Sequence, residues 1–176
     1  NPAPILTMPL RFDIEIELFT APGAAPADSA SVQAELRQEL TIFWAGLGLP
    51  SEPVVTVIAS EQPAGLFDFS LRLDGQWAPT PVFQAAVPAP PLSFRIMSAI
   101  FEQRLRLITD EQLRRLRAQC LDLQKTASSW SSAPLSIWHA LAILLLKNGF
   151  SLDRLSACFE NWSPEKTAEE AFERLI

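Results

Sequence analysis

Apolar and charged residues alternate strictly near the start of this sequence, and this pattern constrains the fold more than any other feature. From residue 10 to residue 18 every second side chain is apolar, and each one between is charged. The apolar positions are Leu10, Phe12, Ile14, Ile16 and Leu18. Successive side chains of a strand point to opposite faces, so a period of two places all five on one face. Residues 10–18 are therefore predicted to form a strand with one buried face.

The rest of the first half predicts one helix and two further strands. Apolar residues recur at helical spacing over residues 32–47. A β-branched run over 53–59 and an alternating run over 67–73 are typical of strands. The dipeptide Asp74-Gly75 favours a hairpin turn, after which a return strand begins near Trp77. The predicted order is β-α-β-β.

Prolines separate this half from a second half that reads as helices only. Five of them lie between residues 79 and 91, where they remove amide donors and favour extended backbone. We predict an α/β subdomain over residues 1–90, with the proline-rich link at its end, and a helical subdomain over residues 91–176. The predicted fold class is α+β, with a small β-α-β-β sheet unit followed by an all-helical unit.

Capping residues mark most of the predicted helix ends. Ser, Thr, Asp and Asn accept bonds from the first amides of a helix, and glycine takes the left-handed conformation that follows the last turn. The start signals are Asp28 to Ser31, Ser93, Thr109 with Gln112, Ser136, Ser151, and Ser163 with Pro164. The stop signals are Gly46 with Gly48, and Asn148 with Gly149.

The charge of the chain excludes several partners. Its 176 residues include 14 Lys and Arg against 20 Asp and Glu, a net charge of −6. Such a surface repels phosphate backbones and anionic lipid. No uncharged run reaches the roughly 18 residues of a membrane span, so we expect no membrane contact by this segment. The residues at the start lack a basic region followed by an apolar core, and no secretory signal is expected.

No catalytic, cofactor or metal motif stands out. His139 is the sole histidine, and no serine or cysteine nucleophile is tied to it by spacing, so a packing role is favoured over a general base. One histidine with two distant cysteines makes no zinc set. Cys120 and Cys158 lie in predicted helices, which favours two buried thiols over a disulfide. We predict no enzyme activity, no cofactor and no metal.

A cluster of arginines leaves one alternative function to consider. Arg104, Arg106, Arg114, Arg115 and Arg117 adjoin a run over residues 144–155 that looks like a helix-turn-helix. The interspersed acids and the single basic residue of the would-be recognition helix argue against DNA. A winged-helix-like nucleic-acid-binding or regulatory module is therefore the alternative function.

Large aromatic side chains are the candidate partner-binding residues. Three tryptophans fall at predicted turns or helix ends, where a ring is expected to be half exposed, and one phenylalanine lies in the proline-rich link. Such rings anchor protein partners, although they also seal seams between subdomains. The four candidates are Trp77, Phe83, Trp130 and Trp162.

Several segments occur in the order found in one known family. They comprise a first strand, a helix with a second strand, a hairpin and the start of a further helix. These segments are PLRFDIEI (9–16), LRQEL (36–40), GLGLP (46–50), PVVTV (53–57), FDFSLRLDG (67–75) and FRIMSAI (94–100). The most specific segment is LSIWHALAILLLKNGFSLDRL (135–155), which is similar to the family's "vLq.LL.EgVSIRDL".

This order resembles the cytoplasmic part of the FHIPEP family, the export-gate proteins of type III secretion (FlhA, InvA and LcrD type), in trimmed form. The resemblance implies a cytoplasmic domain, in the family the cytoplasmic part of an inner-membrane protein. It implies docking of secretion chaperones, export substrates or apparatus subunits, with a homo-oligomeric ring as a further option. The family's docking groove uses a subdomain inserted after the hairpin. The link between Gly75 and Ser93 is too short for that insert, so the family's docking residues are not carried over.

Overall fold

A computed structural model describes residues 9–20, 23, 28–61, 68–80, 90–123, 132–160 and 162–176. Within these residues four strands precede most of the helices, which confirms the predicted α+β class. The strands are β1 (Arg11–Thr20), β2 (Glu52–Glu61), β3 (Phe69–Leu73) and β4 (Gln76–Ala78). The α-helices are α1 (Ser29–Leu47), α2 (Leu92–Glu102), α3 (Asp110–Leu123), α4 (Leu135–Lys147), α5 (Leu155–Glu160) and α6 (Ala168–Glu173). Short 3-10 turns occupy Arg104–Leu107 and Leu152–Arg154.

The chain divides into two compact units. The sheet unit comprises Arg11–Phe43 and Glu52–Arg104, and the helical unit includes Trp44–Ser51 and Leu105–Ile176. Helix α1 contributes to both, because its last turn belongs to the helical unit, whereas α2 belongs to the sheet unit. The predicted division of the chain into two subdomains near residue 90 stays a prediction.

The sheet of the first unit is mixed, with the strand order β2-β1-β3-β4. β1 pairs in parallel with β2 and antiparallel with β3, and β3 pairs antiparallel with β4. Alternate residues of β1 are buried, as the period of two predicts. We call the side of the buried residues the inner face and the opposite side the outer face. Side chains of the inner face include Phe12, Ile14, Ile16, Leu18, Val55, Val57, Phe69 and Leu71.

The β3–β4 hairpin follows from two residues. Asp74 and Gly75 have φ values of +53° and +79°, so the two-residue loop has the positive φ at both positions that a type I′ turn requires. This turn matches the right-handed twist of the strands it joins. The predicted turn and the return strand through Trp77 are both confirmed.

Helix α1 begins and ends where the sequence predicts. The Asp28 carboxylate accepts hydrogen bonds from the amide and hydroxyl groups of Ser31, which cap the helix and lower the pKa of Asp28. At the other end Gly48 has φ +73°, and the amides of Gly48 and Leu49 bond back to the carbonyls of Ala45 and Trp44. These two bonds form a Schellman motif, which stops the helix.

Helix α4 is the centre of the helical unit. It contacts α3, α5 and α6, and buries Trp138, Leu141, Ala142, Leu145 and Leu146. It ends in a second Schellman motif at Gly149, where φ is +81°, as the sequence predicts. Ser151 then caps the next turn by accepting a bond from the Asp153 amide.

Three predicted helix starts are wrong. Ser93 and Ser136 lie inside α2 and α4, which begin one residue earlier after Pro91 and Pro134. The last helix begins at Ala168 and not at Ser163, because the side chain of Thr167 accepts a hydrogen bond from the amide of Glu170 and takes the capping role. A proline-containing turn precedes it.

A chain of polar contacts holds the segment after α1 inside the helical unit. The indole N–H of Trp44 donates to the Ser51 hydroxyl, at 2.9 Å, and that hydroxyl donates to Gln112 Oε1, at 2.6 Å. Gln112 Nε2 donates in turn to the Leu107 carbonyl. Gln112 is only 2% exposed, so these bonds satisfy polar atoms that water does not reach.

Both cysteines are free, as the sequence predicts, and only Cys158 is fully buried. Burial raises the pKa of Cys158 to about 11. Burial, with a smaller effect of the Asp153 carboxylate, also raises the pKa of the half-buried Cys120. A raised pKa keeps both groups as protonated thiols at neutral pH, and the thiol is the unreactive form.

We expect the substitution Gly48→Ala to destabilise the chain by at least about 2 kcal/mol. A Cβ atom at this position of positive φ would lie 2.7 Å from Ser151 Oγ and 2.9 Å from Asp153 Oδ1. The matched control is Gly46→Ala inside α1, where a Cβ meets nothing within 4 Å. Urea unfolding of the two variants measures the difference, and an equal stability of both would contradict this packing.

Ellman's reagent tests the state of the thiols. In the folded chain at pH 8 we expect no rapid reaction of Cys158, because its pKa of about 11 leaves it protonated. After unfolding in denaturant both cysteines should react. The Cys120→Ser variant isolates Cys158, and rapid labelling of that folded variant, or no labelling of the unfolded chain, would show that the assignment is wrong.

Candidate functional site

The outer face of the sheet presents a row of side chains that crosses all four strands. The register places Glu15 of β1 between Thr56 of β2 and Arg72 of β3. Arg72 pairs in turn with Trp77 of β4. The row therefore brings a carboxylate, a guanidinium group and an indole ring together, although β1 and the hairpin are far apart in the sequence.

A second row runs parallel to the first. Glu17 lies between Ile58 of β2 and Ser70 of β3. Ile58 is 53% exposed, because its neighbour Val57 faces the core and alternation turns Ile58 outward. A single exposed apolar side chain is common on protein surfaces, so Ile58 bears on a binding site only because it lies on the same face as the exposed Trp77.

Arg72 links Glu15 to Trp77. Its Cζ atom lies 4.2 Å from the centroid of the Trp77 ring, within the range of a cation–π contact. Its Nη1 atom lies 3.8 Å from Glu15 Oε2, and both side chains are about half exposed. An ion pair this exposed contributes only ~0–1 kcal/mol to stability. Together with the cation–π contact, this ion pair places the guanidinium group between the Glu15 carboxylate and the indole ring.

Glu17 is held in place by the neighbouring edge strand. Its Oε1 atom accepts a hydrogen bond from Ser60 Oγ at 2.5 Å. The Ser60 carbonyl accepts from the hydroxyl of Thr20 at 3.3 Å. The Glu17 carboxylate is therefore fixed next to Ile58, on the same face of the sheet.

These rows enclose a shallow cavity of about 340 Å³. Ile58 and Trp77 are its exposed apolar side chains, and the charged and hydroxyl groups lie between β2 and β4. We call this surface the Trp77 face. Its lining residues are Glu15, Ile16, Glu17, Thr56, Ile58, Ser70, Arg72 and Trp77. The combination of two apolar contacts with fixed charges suits the binding of side chains of another molecule.

The structure places the four candidate partner-binding residues differently. Trp77 is 58% exposed and belongs to the face just described. Phe83 and Trp130 lie outside the described residues. Trp162 is only 6% exposed, so the expectation of a half-exposed ring is wrong for this residue.

An aromatic cluster explains the burial of Trp162. Its ring meets Phe159 edge to face, with centroids 6.0 Å apart, and Phe159 packs on Trp138 with centroids 4.1 Å apart. All three belong to the helical unit. The indole nitrogens of Trp138 and Trp162 have no hydrogen-bond partner in the described structure, so these rings serve in apolar packing.

Sequence reasoning proposed Trp77 as a candidate but did not propose its neighbours on this face. Ile58 was visible only as part of a β-branched run, and Arg72 only as a polar position of an alternating strand. The signal that finds them is the strand register, because it alone tells which outer positions lie side by side. Register between distant strands cannot be read from one sequence.

Metal-holding clusters and membrane-spanning helices are both absent from the described residues. Within them, no group of three or more His, Cys, Asp and Glu side chains is placed to hold a metal ion. His139 is half-buried in α4. No helix of the described part of the chain has the length and apolar character needed to cross a membrane.

The helix-turn-helix-like run has a packing role. The turn after α4 leads into the short helix α5, only six residues long, which buries Leu155, Cys158 and Phe159. The exposed residues around it, Asp153, Arg154 and Glu160, include two acids. The alternative of a nucleic-acid-binding module is not favoured.

Comparison with known proteins reveals a likeness in structure but none in sequence. No family model matches the sequence, and no curated protein matches it either. Among solved structures, the CdsV protein of Chlamydia pneumoniae matches with a TM-score of 0.56 at 12% sequence identity. The match covers 98% of this chain and 68% of that one. At this identity the likeness shows that the two chains share a fold.

Proposed function

We propose that this chain is a non-enzymatic protein-docking domain of a type III secretion or flagellar export apparatus, or of a relative of that apparatus. The observation that carries the docking role is the Trp77 face, which exposes Trp77 and Ile58 beside fixed charged groups. Two observations support the export setting. The sequence segments resemble the export-gate family, and the fold is shared with CdsV, a relative of the export-gate proteins.

The geometry of Trp77 suits an anchor residue. Tryptophan is enriched among the residues that dominate binding energy, because its large ring gives contact area for little conformational entropy. Arg72 restrains the ring by stacking on it. Less freedom is then lost when a partner binds, so more of the contact energy appears as affinity.

The partners that fit this proposal are secretion chaperones, export substrates or other apparatus subunits. A role in an export apparatus implies a cytoplasmic location for this segment. It also allows copies of the chain to assemble into a homo-oligomeric ring. We also propose that residues 1–90 and 91–176 are the two subdomains of the docking module. In this account neither subdomain carries out a reaction.

A comparative capture experiment tests the docking role. The chain and its Trp77→Ala variant are used to capture proteins from a lysate of the source organism, and bound proteins are identified by mass spectrometry. Loss of an anchoring tryptophan costs about 2 kcal/mol or more, which is at least a 30-fold loss of affinity. We therefore expect secretion proteins to bind the unaltered chain and to be depleted with the variant.

Phe94→Ala is the matched control. Phe94 of α2 is 59% exposed against 58% for Trp77, so both substitutions remove an exposed aromatic ring. The control should retain the captured secretion proteins. Equal loss with both variants, or capture of DNA-associated or signalling proteins alone, would contradict the proposed function.

A further inference from the structure

The negative charge of the chain is confined to one of its two units. The sheet unit holds eleven Asp and Glu residues against five arginines, whereas acidic and basic residues are equal in number in the helical unit. The whole net charge of −6 therefore belongs to the unit that contains the Trp77 face. A field of this sign attracts positively charged molecules and raises their rate of encounter.

Carboxylates are concentrated on the outer face itself. Asp13, Glu15 and Glu17 take three successive outward positions of β1, so they lie in a line through the middle of the sheet. The basic side chains nearest to this line are Arg11, at the start of β1, and Arg72, which contacts Glu15, so carboxylates outnumber guanidinium groups here. Ile58 and Trp77 stand on the strands at either edge. A ligand that covers both apolar side chains must therefore pass over this line of carboxylates.

The same charges argue against several occupants. Anionic lipid and nucleic acid are repelled by this unit. Neither unit of a second copy of the chain carries a net positive charge, because its sheet unit is acidic and its helical unit is balanced, so only the arginine cluster over residues 104–117 could attract this face. A segment of another protein with both cationic and apolar side chains remains.

We infer that the Trp77 face binds a cationic, apolar segment of a partner protein, with Lys or Arg side chains over Glu15 and Glu17 and apolar side chains on Trp77 and Ile58. This inference rests on the proposed docking function and adds the chemistry of the partner. The long apolar stems of Lys and Arg fit the mixed surface, since they pack on Ile58 or the indole ring while the charged head reaches a carboxylate.

Selection from a phage-displayed library of random twelve-residue peptides tests this chemistry. Peptides are selected on the unaltered chain after depletion on the Trp77→Ala variant. We expect the enriched sequences to combine Lys or Arg with apolar residues. Enrichment of acidic or uncharged peptides would overturn the cationic partner and leave the docking face in place. No enrichment beyond that on Trp77→Ala would overturn the docking face and with it the proposed function.

Charge substitutions then test where the cation binds. For an enriched peptide at low salt, we expect Glu15→Gln with Glu17→Gln to weaken binding about 2- to 30-fold, from two exposed charge contacts of ~0.2–1 kcal/mol each. The control, Glu35→Gln with Glu39→Gln, removes the same charge from exposed positions of α1 and should change affinity less than about twofold.

Three results contradict this assignment. Equal weakening of peptide binding by both double variants would show that the net charge of the chain, and not a contact with Glu15 or Glu17, causes the effect. An unchanged affinity in Glu15→Gln with Glu17→Gln would place the cation elsewhere. A concentration-dependent dimer in light scattering that Trp77→Ala abolishes would make a second copy the occupant. Matching thermal unfolding curves of the two double variants show that neither effect comes from loss of folding.

Discussion

The position at which α1 ends constrains where the next strand, β2, begins. Gly48 stops the helix in a conformation of positive φ, against Ser151 and Asp153, where no Cβ would fit. The bonds from Trp44 through Ser51 to Gln112 hold the next residues in place. β2 begins directly afterwards, at Glu52, which pairs with Arg11 at the start of β1.

The register of β2 decides which side chains reach the outer face. A shift of one residue would turn Ile58 inward and Val57 outward, because side chains of a strand alternate between its faces. The observed register places Ile58 beside Glu17. The type I′ turn at Asp74 and Gly75 does the same for the hairpin, where it places Trp77 beside Arg72. The end of α1 and the turn between β3 and β4 thus help to bring residues that are distant in the sequence onto one surface.

Local signals made much of the fold predictable. The alternation in β1, the Asp28 cap and the glycines at 48, 75 and 149 act through neighbours a few residues away, and each was confirmed. Trp162 and Ile58 were misjudged or missed because their exposure depends on partners supplied by other elements. The late start of α6 has a local cause, because Thr167 and not Ser163 caps the helix. Both residues can cap a helix, and the sequence alone does not tell which of them does.

The central claim is that the Trp77 face is the docking surface, and hydrogen–deuterium exchange with a captured partner tests it most directly. The account predicts slower exchange on binding in residues 54–60 and 70–78, which include the exposed strands of this face. It predicts little change in residues 135–160. Slower exchange confined to 135–160, with the strands unchanged, would contradict the account.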